Sequence, residues 1–256
     1  MKGDYHMKRR NFIKACGVGL AACCCSPLNA YATQNQTYSA RKLLQDYDQK
    51  EATRRTLYTS LFSAAVIDTV LAQMRNSFEA IIPEIPYIGQ INFHLQWHIP
   101  NAEKLAEWLV AKEYGVSMLE FSQLHLDQAL ADLLSMPNPA GIGRLQFGPM
   151  TEIQMQLVAA ESQLRIYPEA HIFTFVKGDG VDFDWGLDYS QCQNVILYNK
   201  YGAGDLVYPL VCTQDDVAGF AMRTGYHRTT EIARGDAICD LRWKVGVAST
   251  IPDIWA

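Results

Sequence analysis

His171-Ile172-Phe173-Thr174-Phe175-Val176, then Lys177-Gly178-Asp179-Gly180, then Val181-Asp182-Phe183-Asp184-Trp185: here the chain changes character. The first run is β-branched and aromatic, the second is made of turn formers, and the third alternates apolar with acidic residues. The pattern predicts strand, turn, strand. Further on, Tyr226 to Arg234 and Ala237 to Val245 predict a second pair of strands around Gly235-Asp236, a short loop with glycine first. Ser190 to Tyr201 and Asp205 to about Met222 read as helices between them. Pro209, which lacks an N–H, moves the start of the latter toward Leu210.

Upstream of this segment the periodicity is helical. Tyr58, Phe62, Val66, Val70 and Met74 recur every four residues within a helical pattern from Ser39 to about Ala80. Pro83 and Pro86 break the chain. Asn101 is placed to cap a helix Ala102 to Tyr114, with Gly115 as its stop, and a second helix runs from Ser117 to Met136. Pro137, Pro139, Gly141 and Gly143 read as a loop, and Glu152 to Leu164 as a further helix. Helices first and strands later predict an α+β fold, N-terminal helices followed by a small antiparallel sheet packed with helices.

The 256 residues are 49% hydrophobic and 19% charged, an ordinary globular composition. A net charge of −5 argues against nucleic acid as a partner. The N-terminus reads as an address. Arg9-Arg10-Asn11-Phe12-Ile13-Lys14 precedes a short apolar run, Ala15 to Cys25, in the manner of a twin-arginine export signal. Residues 1–22 are the expected signal, with a lipobox at Leu20-Ala21-Ala22-Cys23 or cleavage after Ala30-Tyr31-Ala32. Residues 23–37 form a tether and 38–256 a single domain. Loss of residues 1–22, net +4, leaves a mature chain of −9. The expected location is outside the cytoplasm, periplasmic or as a lipoprotein. Its expected partners are a small-molecule substrate and the twin-arginine export machinery, with membrane contact only through a lipid on Cys23. Of seven cysteines, Cys192, Cys212 and Cys239 remain in the domain, an odd number that leaves at least one thiol free.

His94 and His98 have ligand spacing on a helix, but no neighbouring cysteine or carboxylate completes a metal set, so they read as structural or surface histidines. His125 reads as a polar-face residue. Gly141-x-Gly143 lacks the third glycine of a dinucleotide site, and no G-x-S-x-G elbow occurs. Cys212 and Asp216 stand four apart and share a helical face, with Asp215 beside them. The blander alternative is a buried small thiol beside a solvated acidic pair. In the last strand, Ala237, Cys239, Leu241 and Trp243 point to one side, and Ile238, Asp240, Arg242 and Lys244 to the other. A loop at Gly235-Asp236 would pair Ile232 with Cys239 and set Glu231 opposite Asp240, with Arg242 nearby; either the two carboxylates share a proton or Arg242 neutralises them.

Several phrases together resemble the L-2-amino-thiazoline-4-carboxylic acid hydrolase family. They are Asp182-Phe183-Asp184, Asp188-Tyr189-Ser190-Gln191-Cys192, Leu210-Val211-Cys212-Thr213-Gln214-Asp215-Asp216, Arg228-Thr229-Thr230 and Gly235-Asp236-Ala237-Ile238-Cys239-Asp240-Leu241-Arg242. The resemblance covers roughly residues 170–245. It implies a hydrolase acting on the carbon–nitrogen bonds of cyclic amidines, which opens a thiazoline ring by attack at C2 and needs no cofactor. It implies Cys212, Asp216, Cys239 and Asp240 as catalytic residues. Arg228, Arg242 and Cys192 would bind substrate, an arginine gripping the carboxylate bidentately. No metal ligand is assigned. The phrase Glu231-x-x-x-Gly235-Asp236-x-x-Cys239 also looks distantly like a four-vinyl-reductase-type domain. The other class of function is a lipid-tethered, non-catalytic module whose cysteine cluster holds a small molecule or a metal.

Overall fold

The computed structural model describes residues 37–90 and 92–251. The expected signal and nearly all of the tether, and with them Cys23, lie outside the described residues. Seven helices precede the sheet: α1 (Ala40–Asp48), α2 (Glu51–Tyr58), α3 (Ile67–Ile81), α4 (Leu95–Ala111), α5 (Met118–Ser135), α6 (Pro139–Gln146) and α7 (Pro149–Ser162). Then come β1 (Ile172–Lys177), β2 (Trp185–Gln191), α8 (Gln193–Lys200), a π-helical turn (Val207–Cys212), α9 (Thr213–Met222) and β3 (Cys239–Trp243). The strands pair antiparallel in the order β1-β2-β3, so the fold is α+β with helices ahead of a small sheet. No described helix is long and apolar enough to cross a membrane.

Local chemistry explains where the elements depart from the sequence reading. The expected long helix from Ser39 is three: turns at Gln49-Lys50 and over residues 59–66 interrupt it, and α2 packs beside α3. Asn101 does not cap a helix. It is buried inside α4, which starts at Leu95 and carries Pro100 within it, and its amide faces Asn194 at 3.5 Å. The expected loop at Pro137 to Gly143 holds α6, whose first turn is capped by the Asn138 side chain accepting the Gly141 N–H at 3.1 Å. Ser117 caps α5 in a capping box with Glu120, and Gly115 stops the preceding turn at φ +83°. Residues 181–184 are not a strand: the Asp179 carboxylate accepts the N–H groups of Val181 and Asp182 at 2.8 Å and curls that segment. The extended pairing begins at Trp185.

Tyr226 to Arg234 is not a strand either. It touches β3 through one bridge, His227 to Arg242, and then bends into a 3-10 turn at Ile232–Arg234 closed by Gly235 at φ +96°. The expected register fails with it. Asp240 meets Thr229 and Thr230 instead of Glu231, and Ile232 meets Cys239 through the sulfur.

Two cores result. The helical core gathers Tyr47, Tyr58, Met74, Phe78, Leu105, Phe121, Tyr198 and Leu210, among others. The sheet core gathers Phe173, Trp185, Leu187, Tyr189, Tyr226 and Trp243 with Met155 and Ala159 of α7. Register places Phe173, Tyr189 and Cys239 side by side across the three strands, and Phe175, Leu187 and Leu241 next to them. Cys212 packs on the helical core and Cys239 on the sheet core.

Candidate functional site

The approach to α9 is built around a proline. Pro209 cannot donate a helical hydrogen bond, and the chain takes a wide π-turn over Val207–Cys212. Side chains close its loose carbonyls: Thr213 Oγ1 donates to Pro209 O at 2.7 Å and Gln214 Nε2 to Leu210 O. Asp215 and Asp216 follow in the first turn of α9, where a helix N-terminus favours negative charge.

Arg228 is the centre of the arrangement. Its side chain is only 5% exposed, and nearly all its donors are spent internally. It donates to Asp216 Oδ2 at 2.7 Å, Glu231 Oε1 at 2.5 Å, Cys212 O at 3.0 Å and the Tyr226 hydroxyl at 2.8 Å. Asp215 lies 4.0 Å away. Arg228 thus locks the π-turn, α9 and the 226–231 segment together. A guanidinium so occupied is not free to grip a substrate carboxylate. Arg242 is not free either: it lies on the opposite sheet face from Cys239, paired with Asp188 at 2.8 Å and donating to Leu241 O at 2.9 Å. The expectation that these arginines clamp a substrate carboxylate therefore gives way to two structural roles.

Asp240 is likewise absorbed by structure. It accepts the N–H groups of Thr229 and Thr230 at 2.7 Å and both of their hydroxyls. Its partial burial works against the charge, but these donors win and hold its carboxyl at about 2. It shapes the 228–231 bend that aims Arg228, and it points away from Cys239.

Asp215 is the carboxylate left over. The surrounding protein raises its carboxyl to about 6, Arg228 opposing, yet 54% of its side chain is exposed. Asp215 is thus an exposed carboxylate at the start of α9, held near Arg228. Asp216 is buried and raised to about 7, first by burial against Arg228, then by Asp215 and Glu231. Three carboxylates, Asp215, Asp216 and Glu231, thus surround one arginine, and Glu231 Oε2 is buried with no partner. The site holds more negative charge than its cation balances.

The three thiols lie in the same region of the fold, near enough to influence one another. Burial raises Cys192 to about 11; the first-turn N–H groups of Val195 and Asn194 in α8 oppose it, while Cys239 and Asp215 add to it. Burial pushes Cys212 well above its ordinary value, with Cys192, Asp215 and Cys239 all near enough to add to the shift. Cys239 is raised too, although its sulfur accepts the Ile232 N–H at 3.1 Å. All three are free thiols, and each feels the others. Cys212, Cys239, Cys192 and Asp216 are therefore brought together, while Asp240, Arg242 and the guanidinium of Arg228 are committed to other bonds. Among the described residues no group of His, Cys, Asp or Glu is arranged to hold a metal ion.

Sequence reasoning placed Asp215 beside Cys212 and Asp216 without giving it a role, and gave none to Tyr189, the neighbour of Cys239 across the sheet. Tyr189 is the register partner of Cys239, and its hydroxyl lies 3.1 Å from His94 Nε2. The only available signal was Tyr189 three residues before Cys192, on the same side of the strand as Leu187. His125, expected on a polar face, is buried between Tyr58 and Phe121, with its Nε2 3.0 Å from the Tyr58 hydroxyl. Two open hollows, one of about 430 Å³ on Leu61 and Leu119 and one of about 590 Å³ on Arg41 and Arg75, include none of the residues above. No family model matches the chain, and neither does any curated protein or solved structure.

Proposed function

We propose that the chain hydrolyses a cyclic amidine of the 2-aminothiazoline type, with the exposed Asp215 beside Arg228 as general base. The observation that carries this reading is the geometry at the start of α9: a half-exposed carboxylate, Asp215, 4.0 Å from an arginine that Asp216 and Glu231 lock in place, with its carboxyl raised toward neutrality. A base near neutrality is the kind that catalyses proton transfer well. The excess of carboxylates over arginine suits an amidine, which carries N–H donors and is cationic when protonated.

In the step proposed, Asp215 takes a proton from water as the water oxygen bonds to C2. The tetrahedral centre then breaks its bond to ring sulfur or ring nitrogen, and the proton returns from Asp215 to the leaving atom. With C–S cleavage the product is an N-carbamoyl thiol; with C–N cleavage it is an S-carbamoyl amine. Water is the better nucleophile assignment than Cys212, because all three thiols are raised and none is a thiolate near neutral pH. Since both predicted arginines are engaged, recognition rests on the amidine end of the substrate. The metal form of the binding-module reading has no ligand set among the described residues.

The test is incubation of the purified chain with 2-aminothiazoline-4-carboxylate, following loss of ring absorbance and appearance of free thiol or amine. Asp215→Asn is expected to lower kcat by about 100-fold or more, as loss of a general base does, while the fold survives. No turnover by the wild type, or full turnover by Asp215→Asn, overturns the assignment.

A further inference from the structure

Helix α7 is buried on one side only. Met155 and Ala159 enter the sheet core, Ser162 Oγ accepts the Phe173 N–H at 3.1 Å, and Gln163 Nε2 donates to Phe173 O at 2.7 Å. These contacts with β1 fix the rotation of the helix about its axis. The opposite side is apolar and bare. Met150 is 60% exposed, Ile153 54%, Leu157 57% and Leu164, in the closing turn, 69%; Ala160 between them is exposed as well. At about 100° per residue the two faces stand about 170° apart, so the sheet cannot cover the bare one.

The spacing identifies the kind of partner. Positions 150, 153, 157, 160 and 164 step by three and four in turn, the alternation that keeps a narrow apolar seam facing another α-helix and lets the side chains interlock. A core-facing helix of this chain carries a broader stripe, as α3 does with Val70, Leu71, Met74 and Phe78. Charge then selects which helix. Gln154 and Glu161 border the seam on one side, Gln156 and Gln163 on the other, and Pro149 to Leu164 holds no lysine or arginine. A membrane-surface helix carries basic residues on such flanks, and a seam meant for a charged partner shows the opposite sign. Glutamine amides both donate and accept, so they match a second copy of themselves. The lone Glu161 fits an antiparallel pair, because a two-fold axis across the helix offsets its two copies along the seam, where a parallel pair would set them level.

We propose that the chain forms a two-fold homodimer through α7, with Met150, Ile153, Leu157 and Leu164 of one copy packed antiparallel against the same seam of a second. The contact uses one patch twice and closes on itself, so it yields a dimer and not a fibre. These side chains with Ala160 offer on the order of 500 Å² from each copy, about 1,000 Å² in all, the size at which specific interfaces begin. The seam shares no residue with Asp215 or the thiols, so the dimer stands independently of the hydrolase reading.

Sedimentation equilibrium of the full chain between about 1 and 100 μM, a range suited to an interface of this size, tests the proposal. Wild type is expected to reach twice the chain mass. Leu157→Glu, which buries a charge in both copies at once, should weaken the dimer by about 100-fold or more and leave a monomer. Its far-UV circular dichroism should be unchanged, because position 157 is exposed in the single chain. If Leu157→Glu does not fold, Ile153→Gln carries the same test. Val181→Glu, at an even barer apolar residue outside the seam (77% exposed), should stay dimeric. A wild type still monomeric at about 100 μM overturns the proposal, and binding of that monomer to phosphatidylcholine vesicles would assign the seam to a membrane instead. A dimer that survives Leu157→Glu, or that Val181→Glu disrupts equally, overturns it as well.

Discussion

Glu107 offers the sharpest energetic prediction. It lies in the helical core at 4% exposure, with the Tyr58 hydroxyl donating to Oε2 at 2.8 Å and the Tyr47 hydroxyl to Oε1 at 3.3 Å. Its ion-pair partner is Arg54, with Nε at 3.8 Å, and Lys104 lies near enough to feel its charge. Burial dominates and raises the carboxyl from 4.5 to about 7; Tyr58 and Arg54 pull it down, and Glu103 pushes it up. A carboxyl raised in the fold binds its proton more tightly folded than unfolded. Its contribution to stability is therefore fully present below pH 4.5 and is lost as pH rises through about 7. At about 1.36 kcal/mol per pH unit, the loss across that span is ~3 kcal/mol. Glu107→Gln removes the titration while keeping an acceptor for the tyrosines. Urea unfolding at pH 5 and pH 8 measures it. Wild type should lose ~3 kcal/mol relative to the variant between these conditions. Equal pH dependence in both proteins would refute the argument, because the slope would then belong to other groups.

Other consequences follow from the same structure. Asp216→Asn should cost ~3–5 kcal/mol in urea unfolding, since it leaves Arg228 buried with one fewer partner; a cost below ~0.5 kcal/mol would return Asp216 to a solvated helix face. The pH profile of kcat/KM should rise with an apparent value near 6, because Asp215 must be ionised to act as base, and that limb should vanish in Asp215→Asn. Asp240→Ala should unfasten the Thr229-Thr230 bend at a cost of ~1–2 kcal/mol, the scale of losing a side-chain cap on exposed N–H groups, seen as a lower thermal midpoint. Gly143→Ala would drive a methyl into the Met222 carbonyl where α6 meets α9, and should destabilise by ~1–3 kcal/mol.

The order of elements was legible because the periodicities are strong where they matter. The four-residue recurrence through Val70 and Met74 does lie on a core-facing stripe of α3, and both residues are fully buried. The alternation in Cys239, Leu241 and Trp243 does select the sheet-core face. What misled was punctuation. Pro139 was read as part of a loop, yet it is the first residue of α6 and forfeits little there, because the first turn's N–H groups have no helical partners in any case. The hairpin at Gly235 failed for another reason. Arg228 is drawn inward to three carboxylates, and the chain on either side must bend to deliver it, so ion pairing overrode the strand propensity of Tyr226 to Ile232.

The same inward pull explains why the site was only half visible. A sequence displays which residues could donate, accept or attack; it does not display which are already satisfied. Arg228, Arg242 and Asp240 have the right chemistry for a substrate clamp or an acid, and each is consumed by partners 11 to 16 residues away, or across the sheet. Asp215 differs from Asp216 by one position on α9, about a 100° turn. That rotation leaves Asp216 at 2.7 Å from Arg228 and buried, and Asp215 at 4.0 Å and half exposed. Locking one carboxylate frees the electrostatic influence of the other: Asp216 and Glu231 hold Arg228 in place, and the fixed guanidinium keeps Asp215 from rising as far as burial alone would take it. A base near neutrality is thus a consequence of the lock. If Arg228→Lys folds, its shorter, single-point ammonium cannot span Asp216, Glu231 and Cys212 O together. The acidic limb of the pH profile should then move up, by the amount the displaced charge no longer supplies.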